Sequence, residues 1–65
     1  MYDMSYSIVV FGGGAMLLII PGYPTEAQLE VIREFRFIWS RPLSGWFAFA
    51  DPVKVIINLE KVRPP

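Results

Sequence analysis

Apolar and polar positions follow a helical period in one stretch of the chain. From Pro24 to Trp39 (PTEAQLEVIREFRFIW), residues Ala27, Val31, Ile32, Phe35, Ile38 and Trp39 fall on one broad face, with Gln28 at its entrance. Glu26, Glu30 and Arg33 fall opposite. Thr25 can cap the first turn through its hydroxyl, and Gln28 completes a T-x-x-Q capping box. Glu26 suits the positive end of the helix dipole, and Arg36 and Arg41 suit the negative end. Pro42 bars continuation, so the pattern predicts a helix over 24–40. Leu29 and Phe37 break it, projecting from the charged side around Arg33, which makes Leu29, Arg33 and Phe37 a candidate surface for a second subunit.

Before the helix, Tyr6–Phe11 (YSIVVF) and Ala15–Ile20 (AMLLII) are strand-like runs joined by Gly12-Gly13-Gly14, and they predict a hairpin over 6–20. Neither run alternates cleanly, as expected of strands covered on both faces. After the helix, Ser40–Gly45 reads as a loop. Phe47 and Phe49 then alternate with Trp46, Ala48 and Ala50. Beyond an Asp51-Pro52 turn, Val53, Val55, Ile57 and Leu59 alternate with Lys54, Ile56 and Asn58, which predicts a second hairpin over 46–62. Residues 1–5 read as a lead-in and 63–65 as an extended tail. The whole is a small single α+β domain of order ββαββ, a four-stranded antiparallel sheet with one helix packed on one face. Its other face would still show several of Tyr6, Ile8, Met16, Leu18, Trp46 and Ile56, and the first four join the candidate interface.

Composition sharpens this expectation. Hydrophobic residues make up 54% of the 65 positions and charged ones 18%. A chain of this length buries only about 60% of its unfolded surface, too little to hide so much apolar area alone. The surplus meets either another chain or lipid. Met4–Thr25 carries no charge and is long enough to span a bilayer, so a membrane span over residues 4–25 is the rival reading. Three glycines in mid-span, Pro21 and the lack of basic flanks argue against it, and no basic segment precedes the run as in a signal peptide. Self-association as a homo-oligomer is the expectation, with or without another protein partner. A chain without cysteine suits a cytoplasmic setting.

Candidate chemistry is sparse. The chain has neither histidine nor cysteine, which removes the usual general base, the thiol nucleophile and the usual zinc ligands. Glu26, Glu30 and Glu34 recur at the spacing of a solvated ridge, and no serine has an evident base. No enzyme, cofactor or metal site is expected. Six basic and six acidic residues cancel, which argues against nucleic acid as a partner. The glycine triplet lacks the following lysine and helix of a phosphate loop and reads as a hairpin turn. One loop stands out: Trp39 and Trp46 bracket Arg41 and Ser44, a set able to stack a planar ring and hold an anion. A small nucleotide-like ligand bound there, near a subunit boundary, is the alternative function. The simpler reading gives both indoles to packing and Arg41 to the helix end.

Overall fold

In the computed structural model, which describes residues 6–63, the elements follow in the order ββαββα. The expected lead-in, residues 1–5, and the last two residues of the expected tail lie outside the described part. Strands β1 (Ser7–Val10) and β2 (Ala15–Ile19) form the expected antiparallel hairpin. The glycine triplet closes it, with Gly13 and Gly14 at φ of 75° and 86°, values that other residues adopt only with strain.

Helix α1 (Glu26–Glu34) begins where the capping box places it. Thr25 Oγ1 accepts from the Gln28 N–H at 3.1 Å, and Gln28 Oε1 accepts from the Thr25 N–H at 2.9 Å. The helix ends six residues short of the expected 24–40 span. Its stop is a Schellman turn: Phe37 N–H reaches Ile32 O at 2.9 Å and Arg36 N–H reaches Arg33 O at 3.1 Å. Arg36 takes the left-handed conformation at φ 60°, a place usually filled by glycine. Arg36→Gly should therefore raise the urea midpoint, by about 0.5–1 kcal/mol of stability once the extra freedom of the unfolded glycine is counted. An unchanged or lowered midpoint would show that the arginine side chain contributes more than the strain costs.

The early stop corrects two expectations. Ile38 and Trp39 are not on the helix; they belong to strand β3 (Ile38–Ser40). Phe37 does not project beside Arg33 toward a second subunit. The reversal at Arg36 turns it into the chain's own core, where it is 6% exposed. Of its expected companions, Leu29 is half-buried against that core and Arg33 is exposed.

Strand β4 (Gly45–Phe49) follows a turn and pairs with both β3 and β2. The sheet order is β1-β2-β4-β3, antiparallel throughout. The expected four-stranded sheet is present, but not with a strand over 53–59. That stretch is helix α2 (Pro52–Lys61), so the second hairpin is β3–β4 and the expected one over 46–62 is corrected. Asp51 caps α2 by accepting from the Val53 N–H at 3.0 Å, and Pro52 takes the first helical position, where its missing N–H costs nothing. Val55, Leu59 and Val62 then recur at i, i+4 and i+7 and turn inward.

Both helices pack on one face of the sheet. Its core joins Met16, Leu18 and Ala48 of the sheet to Val31 and Ile32 of α1, Phe37, and Val55 and Leu59 of α2. Cross-strand partners point the same way, so Ile8, Leu18, Trp46 and Trp39, aligned by register, share this covered face. The expectation that Tyr6, Ile8, Met16 and Leu18 would form the open face is thus reversed. Met16 and Leu18 are fully buried within one chain, and Tyr6 and Ile8 are half-buried against the same core. The rival reading, a membrane span over residues 4–25, gives way to the expected hairpin across residues 7–19, and no helix among the described residues is long and apolar enough to cross a membrane.

Candidate functional site

Alternation along a strand sends every second residue to the opposite face. Opposite the helices, one row runs Val9, Leu17, Phe47, Ile38 across all four strands. Phe11, Ala15 and Phe49 lie on one side of that row, and Ser7, Ile19, Gly45 and Ser40 on the other. Neither helix packs on this face. Among the described residues it carries no charged side chain, and its only polar ones are Ser7 and Ser40, at the two opposite edges of one end row.

The face is built for contact. Phe47 sits between Phe11, with ring centroids 6.2 Å apart, and Phe49, at 5.6 Å and nearly perpendicular. The second is an edge-to-face pair, an arrangement that holds both rings in defined positions. Phe49 is 71% exposed and Ile38 65%, whereas Leu17, between Val9 and Phe47, is 5% exposed. Gly45 keeps the surface level. A β-carbon there would come within 3.0 Å of Leu17 Cδ1 and 3.2 Å of Ile19 Cγ1, so side chains from β2 close over the glycine.

A second feature lies on the other side of the sheet, at the end where β2 stops. Trp39 and Trp46 face each other across β3 and β4, with ring centroids 5.2 Å apart at 68°. With Ile20, Gly22, Tyr23 and Pro24 they line a cleft of about 300 Å³. The structure brings together the two indoles that the sequence singled out. Arg41 and Ser44 do not line the cleft; both are exposed in the β3–β4 turn, where Ser44 N–H bonds Arg41 O at 3.2 Å. Ile20, Gly22, Tyr23 and Pro24 are the lining residues that sequence reasoning missed. Their signal is the Ile20-Pro21-Gly22-Tyr23-Pro24 run, which links β2 to α1.

Among the described residues no group of three or more histidine, cysteine or acidic side chains converges as metal ligands would, and Glu26, Glu30 and Glu34 are all exposed along α1. One titratable group is displaced. Tyr6 is pushed up from 10.0 to about 12, first by partial burial and then by donating its hydrogen bond to the Glu60 carboxylate, with the charge of Glu60 adding and that of Arg63 opposing. This bond ties the start of β1 to the last turn of α2. Because burial and Glu60 both favour the neutral phenol, its contribution to stability is whole below pH 10.0 and is lost as pH rises toward 12. Urea midpoints of the wild type and Tyr6→Phe should therefore converge over that interval. A gap between them that stays constant across it would separate Tyr6 from any role in alkaline stability.

The chain was compared with protein-family models, with curated proteins and with solved structures, and it matches none of them.

Proposed function

We propose that this chain is a non-enzymatic structural module that works as a homodimer, two copies packing their open sheet faces into a sandwich. The observation that carries the reading is a sheet face that spans four strands, bears no charge and is covered by neither helix. Apolar faces of this kind are buried against something in a working protein.

A second copy suits the face for three reasons. In a two-fold pair each residue meets a surface of identical composition, and a face without charge has nothing to repel its twin. Two twisted sheets of the same hand pack naturally at about −30° and about 10 Å apart. The area also suffices. Strands of 4, 5, 3 and 5 residues, spaced about 4.8 Å apart with a rise of about 3.3 Å per residue, cover roughly 270 Å² in projection. Following the relief of the side chains roughly doubles this, and two copies then approach the ~1,200 Å² at the lower end of specific interfaces. A lipid surface suits it less, since no basic side chain lies on the face to meet anionic headgroups.

The lack of a reaction is part of the proposal. The chain has no histidine or cysteine to tune, and its α1 carboxylates stand in water. The test is mass in solution. At about 100 µM, where a modest interface is still populated, sedimentation equilibrium should return twice the 7.4 kDa of one chain. A mass of 7.4 kDa there would reject the dimer.

A further inference from the structure

We propose that the Trp39–Trp46 cleft binds an extended, uncharged, proline-rich segment of a partner protein. The inference is independent of the dimer, because the cleft lies on the helix-bearing side of the sheet and stays open when the opposite faces pack.

The lining decides the class of ligand. None of its six residues is charged, and Arg41 is outside it, so no cation is in place to hold a phosphate or carboxylate. A quaternary ammonium needs ring faces turned toward a common centre. Here the two indoles close on each other edge to face, 5.2 Å apart, and present a step rather than a box. A stepped wall of aromatic faces is what a polyproline II segment packs against, its pyrrolidine rings seated between tryptophan and tyrosine. The volume, about 300 Å³, is at the lower limit for an enclosed small-molecule site. The cleft is also unroofed. Tyr23 is 83% exposed and Trp39 53%, so a chain can run through it in a way that a pocket for a compact ligand would prevent.

Hydrogen bonding fits the same occupant. A polyproline II segment makes no internal hydrogen bonds, and its carbonyls remain free to accept. The polar groups that the lining side chains offer are the two indole N–H donors and the Tyr23 hydroxyl. An uncharged acceptor-rich ligand matches an uncharged donor-bearing wall. The cleft is also prebuilt, because Pro24 is buried, Trp46 is half-buried, and Thr25 just beyond is held by the α1 capping box.

The test uses a decaproline peptide and the two indole N–H resonances, which in this chain come from Trp39 and Trp46 alone. Both signals should move saturably with decaproline at millimolar concentration or below. A glycine-serine decapeptide should leave them in place. Tyr23→Ala alters an exposed side chain and should keep the fold while weakening decaproline at least tenfold; Trp39→Ala should do the same. Failure of decaproline to saturate, equal binding of the glycine-serine control, or unchanged affinity in Tyr23→Ala would each overturn the proposal. So would a nucleoside that moves the same resonances when decaproline does not.

Discussion

Phe37→Lys should leave the chain unfolded at room temperature. At 0.05–0.15 kcal/mol per residue, a domain of this size holds roughly 3–10 kcal/mol of stability. Removing a buried phenylalanine alone costs about 3–5 kcal/mol. The ammonium adds several more, because Phe37 is 6% exposed among Met16, Leu18, Val31, Ile32, Ala48, Val55 and Leu59, none of which offers a partner. The Schellman turn suffers too, since it needs residue 37 to pack inward beside Ile32. Far-ultraviolet circular dichroism should lose both helix and sheet signals, and no cooperative urea transition should remain. A folded Phe37→Lys with a normal transition would mean that residue 37 faces outward, on a helix longer than the one described.

Phe49→Glu should do the reverse, keeping the fold and breaking the assembly. Phe49 is 71% exposed in the single chain, so the carboxylate has water in the monomer and little to disturb. In a two-fold sandwich both copies carry the new charge into the same apolar interface, where an unpaired carboxylate is costly to desolvate. Dimer affinity should fall at least 100-fold, which corresponds to about 2.7 kcal/mol. Val53→Glu is the control, 62% exposed on the outer side of α2, and should leave the mass unchanged. If the two variants exchanged these outcomes, the interface would lie on the helices.

Several of these features were legible before the fold was. Thr25 and Gln28 announced the start of α1 because both ends of the capping box lie within four residues, and no distant contact is needed to make it. The glycine triplet marked the first hairpin for the same local reason. The surplus of apolar residues pointed to an uncovered surface, which the sheet has. Trp39 and Trp46 stood out as the pair that brackets one loop, and register sets them opposite each other, edge to face.

What was not legible depended on distant partners or on unusual residues. In YSIVVF and AMLLII both faces are apolar, so nothing local says which parity meets the helices. Ser7, on the open face, is the single hint, and the expected parity is the opposite of the one the sheet adopts. Helix α2 hid because its β-branched residues resemble a strand, and Val53, Val55, Ile57 and Leu59 happen to alternate. The signal that outweighs the alternation is Asp51-Pro52, a cap followed by proline at the first helical position. The end of α1 hid because Arg36 takes the left-handed place that a glycine would have advertised. A helix over 24–40 leaves no residues for strand β3, so the expected fourth strand falls on what is α2.

The central claim is that the face bearing Val9, Leu17, Ile19, Ile38 and Phe47 is buried against its own copy. The direct measurement is an isotope-filtered nuclear Overhauser experiment on a mixture of methyl-labelled and unlabelled chains, which records only contacts between molecules. The account predicts cross-peaks from the methyl groups of Val9, Ile19 and Ile38 to phenylalanine rings of the other chain. Intermolecular cross-peaks confined to Val53, Ile56 and Ile57 on the outer side of α2, or none at a concentration where the mass is doubled, would contradict it.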